Sequence, residues 1–180
     1  MRRRLMWFLV AVIVVGGTYA RILLATPSSG FTGTTLAVAR FDEIDLNTHR
    51  DGREHRAEGD ADDRTESADA WRARLETEGL SDLYVQSNVW TPGGTTGWHT
   101  HPGPSLIIVT AGTVTGYEGD DPSCTPHVYS QGMGFIDPGG GHVHVLRNET
   151  SSQARTIAVQ LIPAAAVRRI DAASPGNCPF

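Results

Sequence analysis

Between Ser81 and Ile162 the chain alternates short apolar runs with turns. Leu83, Val85 and Val89, in the segment Leu83 to Trp90, recur at the period of a strand with one buried face. Ser105 to Thr110 is a continuous apolar run closed by Ala111-Gly112, and Thr113 to Tyr117 resumes beyond that turn. Val128 to Ser130, Gly134 to Asp137, His142 to Leu146 and Thr156 to Ile162 continue the series. Strands this short, separated by Gly and Pro instead of helical spans, predict an all-β sandwich or barrel and not alternating βαβ units. No internal repeat of fixed period accompanies them.

Upstream the pattern differs. Met1-Arg2-Arg3-Arg4 precedes the apolar run Leu5 to Val15 and the small residues Gly16 to Ala20, the order of a secretory signal. The positive end stays in the cytoplasm, so the remainder is delivered outside. Thr18 and Ala20 offer a cleavage site, whereas Ile22-Leu23-Leu24-Ala25 extend the run to about 20 residues, enough to span a bilayer. Residues 1–25 are therefore either a cleaved signal peptide or a retained, helical membrane anchor. Both place the protein extracytoplasmically, secreted after cleavage near Ala20 or tethered through this segment alone.

Residues 26–80 form a polar preface. Pro27 to Thr34 reads as a Ser/Gly/Thr linker, and Leu36 to Leu46 as one or two short strands. Asn47 to Ala68 is dense in Asp, Glu and Arg, too polar to offset its ordering entropy, and is expected to be a mobile loop. Trp71 to Gly79 is expected to be a short helix, with Trp71 and Leu75 on one face and Gly79 at its end. The barrel is assigned to residues 81–165 and a C-terminal tail to 166–180.

Composition narrows the function. A chain of 180 residues is one domain's worth, and 20 Gly with 10 Pro fit a turn-rich fold. A net charge of -5 excludes a nucleic-acid partner, which would require a basic surface. Export gives Cys124 and Cys178 a meaning, because an oxidising compartment favours a disulfide between them. Two inert thiols or a cysteine metal ligand are the competing readings. Asn148-Glu149-Thr150 is a formal glycosylation sequon. Glu118-Gly119-Asp120-Asp121 reads as a solvated acidic turn before it reads as a calcium site.

The chemistry is carried by two histidine pairs. His99 and His101 are two residues apart, so on a strand they point the same way. Two imidazoles one pleat apart can converge on one ion at about 2.0–2.1 Å each. His142 and His144 repeat the spacing, and Gly or Pro turns precede both pairs. Unperturbed imidazoles would release such an ion as the pH falls from about 6.5 to 5.

Gly93, His99, His101 and Gly112, followed by Gly132, Pro138, Gly140, His144 and Asn148, resemble the two motifs of the cupin family in order and near-correct spacing. The resemblance covers roughly Ser81 to Ile162 and implies a single jelly-roll barrel holding one divalent metal ion near a mouth. The sequence departs from the family at Ser105, where the first motif carries Glu. Ser105 is in phase with His101 to face inward, but a hydroxyl is a poor substitute for a carboxylate. The expected ligands are then His99, His101 and His144, with His142 as a candidate fourth ligand or proton carrier, and Asn148 ordering a turn. Iron, manganese, zinc and copper all suit such donors.

A site of neutral imidazoles leaves the ion its full charge and favours a small molecule that brings its own anion. Two classes stay open: a metal-dependent oxygenase acting on a small anionic or enolic molecule, and a non-enzymatic cupin that binds or senses a small ligand. The substrate, the metal's identity and the oligomeric state, a homodimer included, are not legible.

Overall fold

The computed structural model describes residues 25–50 and 71–180. Their regular elements are all strands: β1 (Ser29–Phe41), β2 (Asp45–Arg50), β3 (Trp71–Glu76), β4 (Ser81–Thr95), β5 (His99–Thr100), β6 (Ser105–Ala111), β7 (Thr113–Glu118), β8 (His127–Ser130), β9 (Gly134–Asp137), β10 (His144–Arg147), β11 (Ala154–Pro163) and β12 (Ile170–Asp171). Among the described residues no helix is long and apolar enough to cross a membrane. The expected N-terminal signal or anchor helix lies almost wholly outside these residues, as does residues 51–68 of the expected charged loop.

β4 is the spine of the barrel. It pairs antiparallel with β1 on one edge and β11 on the other, and the sheet continues from β11 through β6 to β9. At the end of β4, Thr95 meets Arg147 of β10. β10 also pairs with β7, which carries β8, and with β5, which carries β12. The result is an all-β, nearly closed barrel. β6 shows why the chain curls: Ser105, Ile107 and Val109 are buried while Leu106, Ile108 and Thr110 are exposed, the alternation of a sheet with one face turned inward.

Three expectations are corrected. The stretch read as a linker is part of β1 from Ser29 onward, because its Gly and Thr residues pair with β4 over eleven positions from Ser29↔Thr95 to Phe41↔Ser81. The short helix at Trp71 to Gly79 is absent: Trp71 to Glu76 form β3, paired with β2 from Arg50↔Trp71 to Asp45↔Glu76. Trp71, Ala73 and Leu75 alternate with Arg72, Arg74 and Glu76, so a period of two serves as well as a helical face, and Leu46 opposite Leu75 rewards it. The same pairing takes Asn47 to Arg50 out of the expected loop.

The interior divides into two layers. Trp90, Val109, Val114 and Ala154 form one apolar cluster, flanked by Phe31, Tyr129, Phe135 and Leu146. Burial of side chains this size stabilises by roughly 1.5–3 kcal/mol for each large residue. Many of the other inward positions are polar, including Gln86 and Asn88 of β4 and Thr156 and Gln160 of β11. Polar side chains in that phase build a lumen in place of a solid core.

A second cluster, Trp98, Tyr117, Val145 and Cys178, sits under the C-terminus. The C-terminal residues are stitched to the sheet. Ile170 and Asp171 pair with Thr100 and His99, and the Phe180 ring packs on Tyr117 and Trp98 under the Arg147 guanidinium. Cys178 lies at disulfide distance from Cys124, with Cα atoms 5.2 Å apart and a sequence separation of 54. A link closing that loop contributes roughly 4 kcal/mol in the chain-entropy description.

Candidate metal centre

Each histidine of the expected trio arrives by a different route. His99 opens β5 next to Gly97, whose positive φ of 67° and contact with the Thr26 and Pro27 backbone leave no room for a Cβ. The segment is fastened from both termini: Trp98 N–H donates to Thr26 Oγ1 at 2.6 Å, and Ala172 N–H to the Trp98 carbonyl at 2.9 Å. His101 follows β5 in the turn to β6. His144 begins β10 and stands opposite His99 in the strand register. All three are buried, at 4%, 8% and 7% exposure for His99, His101 and His144.

One ring nitrogen from each of these residues lies within 4.8 Å of the other two. The three Nδ1 nitrogens are all occupied in the same way. Nδ1–H of His99 donates to the Gly97 carbonyl at 2.9 Å, that of His101 to the Arg168 carbonyl at 2.7 Å, and that of His144 to the His142 carbonyl at 3.3 Å. A carbonyl only accepts, so the tautomer is fixed with the proton on Nδ1 and the Nε2 lone pair free. Backbone acceptors behind the rings are how proteins orient histidines for a metal ion.

Ser105 does face inward and is buried. What sequence reasoning missed is its neighbour. Asp137, at the end of β9, is the register partner of Ser105, so a carboxylate stands beside that hydroxyl. Asp137 is 6% exposed. Its Oδ1 accepts the Gly139 N–H at 2.9 Å and lies 3.8 Å from His144 Nδ1. Its Oδ2 is buried without any hydrogen-bond partner, 3.7 Å from His101 Nε2. A buried carboxylate oxygen left bare beside neutral imidazoles is costly, and a divalent cation would satisfy it. The donor set therefore fits the expected ion. The signal was weak in the sequence, because Asp137-Pro138-Gly139 reads as a turn and only strand register reveals its neighbour.

His142 stands apart. The Gly139 to Gly141 turn delays β10 until His144, so the expected shared strand face is lost. His142 Nε2 lies 3.4 Å from Glu118 Oε2 and 3.7 Å from Asp120 Oδ1. With Asp137 and His144 it nevertheless forms a second set whose ligand atoms lie within 4.8 Å of one another. Burial raises the Glu118 carboxyl above its ordinary range. Asp121 belongs to the turn itself, accepting the Ser123 and Thr125 N–H groups at 2.8 and 2.7 Å. Asn148 is fully buried, and its amide donates to the Trp90, Thr91 and Ser152 carbonyls. A glycan on that nitrogen would dismantle the turn.

The trio faces a cavity of about 60 Å³ lined by Gln86, Asn88, Thr156, Gln160, Ser105 and Asp137 among others. Burial, reinforced for His99 by neighbouring positive charge, holds all three imidazoles below their ordinary range, with His144 at about 4. They are neutral and ready to ligate at neutral pH. Unfolded imidazoles titrate near 6.5, so between about pH 6.5 and pH 4 the unfolded chain binds protons that the folded chain refuses. Stability must fall with pH through that window, by roughly 3 kcal/mol for His144 alone. The melting temperature of the EDTA-treated chain should drop steadily from pH 6.5 to pH 4; a flat profile would show that the rings are not buried neutral. Proton competition for the ion likewise shifts below the window expected of unperturbed imidazoles.

Residues 89–160 match the family profile of the cupin domain. No curated protein matches the chain. Among solved structures, a double-stranded β-helix protein from Klebsiella pneumoniae is 21% identical across 50% of this chain and 74% of its own, with a TM-score of 0.43. A cupin superfamily protein from Desulfitobacterium hafniense is 12% identical across 44% of this chain and 67% of its own, with a TM-score of 0.39. An oxalate oxidase is 18% identical across 46% of each chain, also at 0.39. Residues 89–160, which carry His99, His101 and His144, are thus the part of this chain that is similar to the cupin domain.

Proposed function

We propose that this chain is an exported, metal-dependent cupin enzyme in which His99, His101 and His144 hold a divalent ion, Asp137 supplies the carboxylate that Ser105 cannot, and a small molecule enters the cavity. The observation that carries this reading is the set of three buried imidazoles whose Nδ1 protons are all committed to carbonyls. A structural histidine needs only one partner; three rings with lone pairs converging on a cavity are arranged for an ion. When bound, iron, manganese, zinc or copper would supply Lewis-acid or redox chemistry at an open coordination position. The chain itself supplies rigid ring orientation, a lumen that excludes bulk water, and polar side chains to orient the guest. Oxygenase chemistry on a small anionic or enolic molecule is the reaction class that such a donor set serves. The Cys124–Cys178 contact supports an oxidising compartment.

The second reading is a binding cup without turnover. It is favoured by the lining around the ion, where Gln86, Asn88, Thr156 and Gln160 are neutral and unsuited to acid–base work. Elemental analysis of the purified full chain, followed by oxygen uptake with small carboxylates and enols, separates the two. The enzyme reading expects metal and substrate-dependent oxygen consumption. Metal with binding but no product would establish the cup.

A further inference from the structure

Two cations line the cavity. Arg168 and Arg169, both in the segment between β11 and β12, contribute to its wall. Arg169 is engaged: its guanidinium pairs with Asp171 Oδ1 at 2.7 Å and donates to the Thr96 carbonyl at 2.6 Å. Arg168 is different. Among the described residues it meets no carboxylate, and its side chain makes a single hydrogen bond, from Nη1 to Gln86 Oε1 at 2.6 Å. That partner is a neutral amide, buried at 4% exposure and fixed in turn by donating to Thr35 Oγ1 at 3.3 Å. The guanidinium is thus anchored at one corner, half-buried, with its remaining donors uncommitted among those residues.

A partly desolvated guanidinium without an anion is an uncompensated charge, and its planar fork matches a carboxylate in bidentate fashion. The same residue's main-chain carbonyl holds His101 Nδ1 at 2.7 Å. One residue therefore both orients an expected ligand ring and offers charge to whatever lies over the trio. Among the described residues Asp137 is the only carboxylate on the cavity lining, and the expected ion would offset it. The cavity of about 60 Å³ has room for only a few water molecules, so the guest must be compact.

We propose that Arg168 forms an anion subsite in this cavity, taking the carboxylate of a small monocarboxylic acid and directing the rest of the molecule toward His99, His101 and His144. The proposal deepens the metal-dependent reading and rests on it for the guest's second contact, whereas the guanidinium contact stands independently.

The test is calorimetric titration of the metal-loaded full chain with acetate and glycolate, and with acetamide as the uncharged counterpart. Acetate and glycolate should bind about tenfold or more tightly than acetamide, as expected for a charge-assisted hydrogen bond. Arg168→Gln should lose that advantage, while Arg168→Lys, which keeps the charge, should recover part of it. Metal content should be unchanged in Arg168→Gln, because the carbonyl that holds His101 remains. Equal affinity of Arg168→Gln and the unsubstituted chain for acetate would overturn the subsite, as would equal affinity for acetate and acetamide. Failure of the metal reading is seen separately, as absence of metal on elemental analysis. In that case the same comparison on the metal-free chain decides the subsite alone: acetate binding that depends on Arg168 upholds it, and its absence rejects it.

Discussion

An alanine at His99, at His101 or at His144 is expected to strip the chain of nearly all its bound metal, each substitution acting alone. Every ring is positioned by its own backbone carbonyl, and the three converge from separate strands and turns. His142 shares a second set with Asp137 and His144 but not with His99 or His101, and it lies beside Glu118 and Asp120. Removing even an orienting partner of a ligand commonly weakens metal affinity about 10–100-fold, and removing the ligand itself should exceed that. The measurement is metal per chain after gel filtration, with circular dichroism to confirm that the barrel persists. Full retention of metal in any of the three variants would remove that residue from the site.

The second large effect is expected at Asp137, with a rescue that a merely structural role would not show. Asp137→Asn keeps the size and the hydrogen bond to Gly139 N–H but removes the charge beside His101 and His144, and should weaken metal binding about 10–100-fold. Ser105→Ala should leave metal content nearly unchanged, since the hydroxyl is not among the expected ligands. The pairing of Ser105 with Asp137 across β6 and β9 then makes a further prediction. Ser105→Glu introduced into the Asp137→Asn chain returns a carboxylate to the same layer of the barrel and should restore most of the lost affinity. Competition against a fluorescent zinc chelator measures each step. Unchanged affinity in Asp137→Asn, or no recovery in the double variant, would place the carboxylate outside the metal's reach.

The barrel strands were legible because a strand writes its period of two into the sequence, as in Leu83, Val85 and Val89, but the face was not: in β4 the residues turned inward are Gln86, Asn88 and Trp90. The histidine spacing singled out the residues, although only His99 and His144 stand on strands and His101 reaches the cavity from a turn. Other features depend on partners distant in sequence. β1 carries the weak strand formers Ser29, Gly30 and Gly33, and becomes a strand because β4 offers its edge. Trp71 and Leu75 satisfy both a helical and an extended period, and only Leu46 across the pair decides between them. In β11 the inward residues are Thr156, Ala158 and Gln160, while Ile157, Val159 and Leu161 point outward, an inversion that marks a lumen but reads locally as an ordinary apolar strand. Asp137 and Arg168 were invisible for a related reason: one sits in a turn signature and the other in an expected tail, and each acquires chemistry only from what the fold brings opposite.

The fastening of the last residues bears on when the centre can be assembled. His101 is oriented by the Arg168 carbonyl, His99 is flanked by Asp171 in β12, and Cys178 with Phe180 clamps that segment down. A folding chain whose residues 166–180 have not yet docked presents the same three histidines without this brace, since the carbonyl behind His101 and the strand beside His99 are then missing. Docking of that segment comes first, and a firmly held trio follows from it.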